Sequence, residues 1–351
     1  MDGNERIVLK AKDINGYLTN EDLKVIEDLK QIYYSNFKSI QNVYEKESME
    51  KLISMYNKIG EVIKQICKEN NRIHIYSFEM PHETHGEVSR LISKLRNVET
   101  YGHQEYIYYT QRACEMLFNF VWGGRRSEDK TYFLVKTPVN SPFQNYAVHK
   151  LPNVDSLIGN TAMCVMLRGA LLPSIIVSKE IQEWHSKGYI TPFALFKINR
   201  NETKKENDME YILDLKRSCY NPEDLDGKDL IFCDPMNATG GSIIAIMRFL
   251  ESQNIKPASV KFLNIIAALP GALRTSRAVP DIEVYSLWMD PCLNENAYIS
   301  PGVGDFGDRL NFKDEKNNPR NMVRLIADYG RDISKLYKAQ IGKIENTIFN
   351  L

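Results

Sequence analysis

The sequence predicts an α/β fold in which a mostly parallel central sheet is flanked by helices. Two observations lead to this prediction: short runs rich in β-branched residues occur along the chain, and they alternate with stretches of helical periodicity. Such alternation is typical of parallel sheets, whose strands are joined by crossover helices. The expected strands are residues 162–167, 193–198, 229–233, 260–267 and 282–287, and the expected helix between two of them is residues 243–253.

The N-terminal region has a different pattern. Apolar residues recur at helical spacing between residues 21 and 69, which predicts two amphipathic helices. Residues 81–86 break this pattern. The sequence therefore divides into a helical extension (1–80), a main α/β domain (81–312) and a tail that ends in a helical pattern (313–351). Within the main domain, the charged stretch 199–214 is expected to form a β-hairpin or lid excursion, mobile by its composition.

Composition excludes several classes of protein. Lysine plus arginine and aspartate plus glutamate number 45 each in the 351 residues, so no overall field attracts nucleic acid or an anionic membrane. The six cysteines are scattered and form no Cys-x-x-Cys pair, which argues against a zinc ribbon or a disulfide framework. The sequence contains no stretch of signal-peptide or membrane-spanning type, so we expect a soluble, cytoplasmic protein.

The strongest functional signal is residues 230–242, a strand followed by a short acidic loop and a helix. Successive small residues let backbone N–H groups approach a phosphate, and the helix start adds partial positive charge. The expected phosphate-binding residues are Ala238, Thr239, Gly240, Gly241 and Ser242. Asp234 directly follows the strand, where its carboxylate can accept ribose hydroxyls. The alternative is a glycine-rich turn in which Ser242 is an ordinary helix cap.

A second glycine-rich segment, residues 293–309, contains a formal Gly-x-Gly-x-x-Gly. A dinucleotide site is not expected, because a proline precedes the first glycine and no helical pattern follows the last. We interpret the segment as a loop whose backbone N–H and C=O groups bind the edge of a flat pyrimidine, with Tyr298 beside the ring. Asp305 and Asp308 are placed to address magnesium-bound water or ribose hydroxyls. The alternative is a surface loop with an Asp308–Arg309 ion pair.

Together these segments resemble uracil phosphoribosyltransferases. The family's phosphate loop has the pattern Asp-Pro-Met-x-Ala-Thr-Gly-Gly-Ser, found here at residues 234–242. Its base-binding segment has Tyr-Ile-x-Pro-Gly-x-Gly-Asp-x-Gly-Asp-Arg, found at residues 298–309. Residues 166–170 resemble the family's Leu-Arg-Ala-Gly loop, and residues 198–203 resemble its Tyr-Arg-Asn-Glu-Glu-Thr segment. The resemblance covers roughly residues 84–309.

The resemblance implies a type I phosphoribosyltransferase fold and a transfer reaction. A pyrimidine base, uracil in the family, would join 5-phosphoribosyl-1-pyrophosphate (PRPP) to give a nucleoside 5′-monophosphate and pyrophosphate. Arg168 and Arg200 would face pyrophosphate, which suits their planar donor forks. Magnesium is the implied cofactor, at least a homodimer is the implied assembly, and the implied partners are small molecules rather than nucleic acid or membrane. The implied catalytic residues are Arg168, Arg200, Asp234 and Asp305 (which would address the metal through water), and the implied base-binding residues are Tyr298, Ile299, Gly304 and Phe306.

Some positions depart from the family pattern. Asn237 replaces a usual leucine, Ala297 stands where glycine is typical, and Phe306 replaces the alanine of many members. The excursion after Arg200 is also longer than usual. Two alternatives therefore stay open: a transferase for a different or modified base, and a catalytically inactive regulatory or scaffold protein with the same fold.

Overall fold

A computed structural model describes residues 6–40, 42–76, 85–98, 103–123, 130–140, 142–311 and 338–349. Its strands are β1 (Arg6–Lys10), β2 (Ile73–Ile75), β3 (Lys130–Asn140), β4 (Gln144–Pro152), β5 (Thr161–Leu167), β6 (Phe193–Arg200), β7 (Glu210–Cys219), β8 (Asp229–Cys233), β9 (Met236–Asn237), β10 (Ser259–Ala268), β11 (Ile282–Asp290), β12 (Cys292–Leu293) and β13 (Ile299–Ser300). Its helices are α1 (Ala11–Asn15), α2 (Asn20–Ser39), α3 (Lys46–Glu69), α4 (His85–Arg96), α5 (His103–Phe118), α6 (Asp155–Ile158), α7 (Leu171–Trp184), α8 (Gly241–Ser252), α9 (Leu269–Ala278), α10 (Phe306–Asn311) and α11 (residues 338–349).

A nine-stranded sheet forms the centre of the molecule. Its order is β1-β7-β6-β5-β8-β10-β11-β2, with β9 beside β10. The pairs from β6 through β2 are parallel, and β7 and β1 are antiparallel. The predicted α/β class is therefore confirmed, and the five predicted strands appear as β5, β6, β8, β10 and β11. The predicted helix appears as α8, which begins two residues earlier than expected.

Burial explains why the central strands read as continuous apolar runs. Every residue of β5 is buried, and β8 is buried after its first residue. Strands at the centre of a parallel sheet are covered by helices on both faces, so neither face selects polar residues. The carboxyl ends of these strands open on one edge of the sheet, where ligands of such folds bind.

The N-terminal region supplies both edges of this sheet. The two predicted amphipathic helices are confirmed as α2 and α3, but the short strands on either side of them were not predicted. β1 pairs with β7 at one edge, and β2 pairs with β11 at the other. Residues 6–76 therefore share a sheet with the rest of the chain. The predicted boundary, between residues 80 and 81, lies outside the described residues.

The charged excursion after β6 forms a β-hairpin, as the sequence predicts. β6 and β7 pair antiparallel across it. Its tip is fastened to the second glycine-rich segment, because the Glu206 N–H donates to the Glu295 carbonyl at 2.8 Å and Lys205 pairs with the Glu295 carboxylate at 3.0 Å. Movement of this hairpin as a lid remains a prediction.

The tail lies mostly outside the described residues, including the predicted helical positions Leu325, Ile326, Ile333 and Leu336. Its last part is the helix α11, which buries Ile341 and Ile344. Among residues that the structure describes, no helix combines the length and the apolar character needed to cross a membrane.

β3 and β4 form a two-stranded ribbon that is separate from the central sheet. Its surface carries large exposed apolar side chains. They are Tyr132, Leu134, Val135, Val139, Phe143, Tyr146 and Val148. A two-stranded ribbon buries little surface by itself, and such a concentration of exposed apolar groups usually marks an interaction surface.

Candidate functional site

One cavity at the carboxyl edge of the sheet collects almost every residue singled out from the sequence. Twelve of the thirteen predicted site residues line it, and Gly241 does not. The twelve are Arg168, Arg200, Asp234, Ala238, Thr239, Gly240, Ser242, Tyr298, Ile299, Gly304, Asp305 and Phe306. The two glycine-rich segments therefore converge, although strands β10 and β11 separate them in the sequence.

The first segment turns sharply from β9 into α8. Gly240 has a φ of +78° and occupies the N-cap position of the helix. Ser242 lies inside the helix and lines the cavity, so it is not the cap that the alternative interpretation assumed. Gly241 packs beneath the ring of Tyr211, and a Cβ there would overlap the ring. This glycine is needed for packing, which explains its place outside the cavity wall.

Tyr211 of β7 also sets the hydrogen bonding of Thr239. The buried Tyr211 hydroxyl donates to Thr239 Oγ1 at 2.6 Å, and the Gly241 N–H donates to the same oxygen at 3.3 Å. Because Thr239 Oγ1 already accepts two bonds, its own proton is available to donate to a ligand in the cavity. The loop thus offers an oriented hydroxyl donor beside the N-terminus of α8.

Asp234 follows β8 and is set deep in the wall of the cavity. Its Oδ1 accepts the Met236 N–H at 3.1 Å. Burial raises the pKa of Asp234 to about 7, and the nearby Asp305 carboxylate adds to the rise, whereas the Met236 N–H and the Arg200 guanidinium oppose it. The side chain therefore titrates near neutral pH, where small changes in its surroundings decide whether it is a carboxylate.

The two predicted arginines have different environments. Arg168 follows β5, and its guanidinium pairs with the Asp308 carboxylate at 3.1 Å. Asp308 therefore pairs with Arg168 and not with Arg309, the partner that the alternative interpretation had assumed. Arg200, at the end of β6, lies over the ring of Tyr298 with its Cζ 5.0 Å from the ring centroid. Its Nη1 also donates to the Ala297 carbonyl at 3.0 Å. Arg200 thus joins the hairpin to the second segment, and contact of either arginine with pyrophosphate stays a prediction.

Backbone bonds shape the second segment. Gly302 has a φ of +65°, and a Cβ there would overlap the Ile299 carbonyl. Its N–H donates to Asp290 Oδ2 at 2.9 Å, and Asp290 Oδ1 accepts from Arg96 Nη2 at 2.6 Å. Ala297 has a φ of +61°. This conformation favours glycine, which accounts for the glycine typical of the family at that position.

A short helix, α10, begins at Phe306, whereas the sequence indicated no helix after the glycines. Asp305 caps it by accepting the Asp308 N–H at 2.8 Å, and the fully buried Phe306 ring packs on Tyr106 with centroids 5.0 Å apart. Capping and burial stabilise a helix that is too short to show periodicity. Arg309 donates to backbone carbonyls, including that of Val303 at 2.9 Å.

The predicted metal position has two carboxylates in range of one another. Asp234 and Asp305 both line the cavity, and the charge of Asp305 adds to the raised pKa of Asp234. The described residues contain no group of three or more histidine, cysteine or acidic side chains able to hold a metal ion. Two carboxylates suit magnesium, which binds through one or two carboxylates together with water and substrate phosphates.

Sequence reasoning missed several residues that support the site. Tyr211, Arg274 and Asp290 lie on β7, α9 and β11, outside both glycine-rich segments. Arg274 is a charged residue in the buried part of α9, where its Nη1 donates to the Thr239 carbonyl at 2.8 Å. An arginine directly after the mostly apolar run 265–273 was the available signal, but only the fold shows what it contacts.

The fold and the cavity define an α/β protein in which two glycine-rich segments meet at the carboxyl edge of a mostly parallel sheet. Residues 191–312 match the model of the family described as uracil phosphoribosyltransferase. The resemblance seen in the motifs is therefore confirmed over this part of the chain, which includes the phosphate loop and the second segment. Arg168 lies outside the matched range.

Known relatives match the same part. A uracil phosphoribosyltransferase of Lactococcus lactis subsp. lactis is 41% identical over 102 residues, which cover 29% of this chain and 46% of that protein. One of Ligilactobacillus salivarius is 45% identical over 89 residues, which cover 25% of this chain and 42% of that protein. The chain thus spans less than half the length of these curated relatives. Among solved structures, AQ2163 protein from Aquifex aeolicus is 22% identical, with a TM-score of 0.47, covering 67% of this chain and 98% of that one; a score of this size does not establish a shared fold.

Proposed function

We propose that this chain is an enzyme that transfers the phosphoribosyl group of PRPP to uracil, giving UMP and pyrophosphate. The observation that carries the proposal is the convergence of Thr239 and Gly304 on one cavity. One segment has the chemistry to hold a phosphate, and the other has the chemistry to read a flat ring. The family match over residues 191–312 and the names of the relatives support uracil as the base.

The residues divide the work by position. The Thr239 hydroxyl and the start of α8 would hold the 5′-phosphate, and Asp234 would accept the ribose hydroxyls. The backbone near Gly304 would bind the edge of the base. Arg168 and Arg200 would stabilise the negative charge that develops on departing pyrophosphate. Holding both substrates in one cavity can contribute about 7 to 11 kcal/mol to catalysis, and no side chain has to act as a covalent nucleophile.

Magnesium fits the carboxylates of the cavity. Asp234 and Asp305 would hold it, Asp305 through water, and the bound ion would neutralise charge on the pyrophosphate. The cap bond of Asp305 uses only its Oδ1, so its second oxygen is available for such a contact. Asp234 likewise uses only Oδ1, toward the Met236 N–H.

The direct test is product formation. Purified protein is incubated with uracil, PRPP and magnesium, and UMP is measured by chromatography. The expected result is UMP from the parent, at least about a hundredfold less from Arg168→Gln, and parental activity from Arg217→Gln, whose side chain is 72% exposed. Product with another pyrimidine but not with uracil would indicate a different base. Binding of PRPP without product from any base would favour the regulatory alternative.

We further propose a homodimer formed through the β3–β4 ribbon. Leu134 and Val148 lie opposite each other in the ribbon, and both are exposed. Leu134→Glu with Val148→Glu should shift the particle from dimer to monomer in light scattering coupled to gel filtration. Val8→Glu, at an exposed position of β1, is the control and should leave the dimer intact. A monomeric parent would refute the assembly.

A cytoplasmic location is part of the same proposal. All six cysteines lie within the described ranges and are free thiols, and five of them are buried. Unpaired cysteines are typical of proteins in a reducing compartment. Localisation of a fluorescent fusion in the cells that make the protein tests this, and export of the fusion would contradict it.

A further inference from the structure

A buried arginine lies directly behind the phosphate loop. Arg274 belongs to α9, is only 5% exposed and is not part of the cavity wall. Its Nη1 donates to the backbone carbonyl of Thr239 at 2.8 Å. Neither glycine-rich segment contains it, and nothing in the proposed chemistry has so far used it.

Close packing holds α9 against the loop. A Cβ at Gly271 would overlap the Ala238 carbonyl, and a Cβ at Gly240 would lie 2.5 Å from Thr275 Oγ1. Helix and loop therefore meet with no space for an intervening side chain or water. Arg274 has a fixed position relative to the loop for this reason.

The bond to the Thr239 carbonyl has a geometric consequence. In a trans peptide unit the C=O and the following N–H point in opposite directions. Fastening the Thr239 carbonyl to Arg274 therefore turns the Gly240 N–H away from α9. Gly240 lines the cavity, and no described residue accepts a hydrogen bond from its N–H. The arginine thus aims a backbone donor into the place where the phosphate is proposed to bind.

The charge of Arg274 is poorly compensated. Its Nε has no hydrogen-bond partner, and no carboxylate among the described residues forms an ion pair with it. Burial lowers the pKa of Arg274, while Tyr211 and Glu206 oppose the shift. A buried cation without a paired anion destabilises a folded protein. A bound dianionic phosphate would supply the missing negative charge.

We propose that Arg274 is a positioning residue of the phosphate loop, acting through the Thr239–Gly240 peptide and through its own charge to favour the 5′-phosphate of ribose phosphates. This inference rests on the proposed function, because it assigns the loop the phosphate ligand proposed above. It concerns ground-state binding of the phosphate, so it can be tested without any turnover.

The probe is ribose 5-phosphate, titrated calorimetrically into the purified full chain. Arg274→Met removes the charge and should weaken binding at least about tenfold at pH 7.5, a lower bound for the attraction between a cation and a dianion several ångströms apart at an effective dielectric constant of about 20. Arg274→Lys keeps the charge and should stay within about threefold of the parent. Arg277→Met changes an arginine of the same helix that pairs instead with Asp22, and it should bind like the parent.

The pH dependence of binding distinguishes the proposed role of the Arg274 charge from a purely structural role. The ratio of the Arg274→Met and parent dissociation constants should shrink at about pH 5, because the phosphate then carries one charge instead of two. Thermal unfolding reports whether each variant is folded, and Arg274→Gln replaces the methionine variant if that one is not. Parental affinity in a folded charge-free variant, or a ratio that does not change with pH, overturns the inference. Binding of ribose 5-phosphate without UMP synthesis would refute the proposed transfer reaction only.

Discussion

Asp290 is the buried carboxylate that joins the second glycine-rich segment to the end of α4. It is 1% exposed, and its two oxygens accept from Arg96 at 2.6 Å and from the Gly302 N–H at 2.9 Å. Asp290→Asn replaces one acceptor oxygen by an NH₂ group, so one of the two donors faces another donor. It also leaves the Arg96 guanidinium without its negative partner.

The expected loss in the free energy of unfolding is about 3 kcal/mol. Breaking a buried ion pair by removing one partner costs roughly 3 to 5 kcal/mol. The value should fall at the lower end, because the Arg96 side chain keeps 20% exposure and lies over the ring of Trp288, 5.4 Å from its centroid. Equilibrium unfolding in urea measures the loss, provided that the slope of the transition is unchanged.

A double-mutant cycle separates this bond from general damage. Asp290→Asn, Arg96→Met and the double variant are unfolded under the same conditions. The double variant should lose less free energy of unfolding than the sum of the two single variants, because each single change leaves the other partner buried and unpaired. Glu47→Gln, which removes an exposed pair with Lys51, is the control and should produce no measurable change. Losses that simply add, or an Asp290→Asn loss below about 1 kcal/mol, would refute the reasoning.

Three further changes test other parts of the fold. Gly241→Ala should cost about 3 kcal/mol of unfolding free energy, because its Cβ would overlap the rigid Tyr211 ring. Gly16→Ala is the control and should cost little, because nothing lies near its Cβ. Equal losses in the two variants would contradict the packing argument. Thr19→Ala removes the side-chain cap of α2 and should lower the free energy of unfolding in urea by about 1 kcal/mol. Thr19→Ser keeps the hydroxyl and should be close to the parent. An alanine variant as stable as the parent would rule the cap out as a stabilising contact. Burial raises the pKa of Asp234 to about 7. Between about pH 4 and pH 7 the folded state therefore keeps a proton on Asp234 that the unfolded state has lost. For this reason the free energy of unfolding falls as the pH rises through that window. Asp234→Asn should therefore gain stability relative to the parent between about pH 5 and pH 8, and a difference that is independent of pH would contradict the raised pKa.

Local sequence was sufficient for the parts of the site that lie on short, continuous segments. The phosphate loop, from Asp234 to Ser242, needs small residues, a preceding strand and a following helix, and all three are adjacent in the chain. What the local sequence did not show is that Tyr211 lies over the loop. It therefore could not place Gly241 beneath that ring or exclude Ser242 as the helix cap.

The edges of the sheet could not be predicted in this way. β1 and β2 are five and three residues long, and each is completed only by a partner about 200 residues later in the chain, as for Arg6 opposite Asp214 and Ile73 opposite Val284. A strand this short carries almost no periodicity of its own. Its hydrogen bonds come from the partner, so its identity is a tertiary property.

The sequence by itself determined the α/β class, the central strands and the two glycine-rich segments, because backbone preference and side-chain periodicity act between neighbours. Only the tertiary structure decided that Arg274 supports the Thr239 carbonyl and that Asp290 joins Arg96 to Gly302, bonds that span 35, 194 and 12 residues. Such contacts depend on the order of the strands in the folded sheet and on which charges become buried together. Neither is defined before the chain folds, and hydrogen bonds and ion pairs gain their strength only when water is excluded.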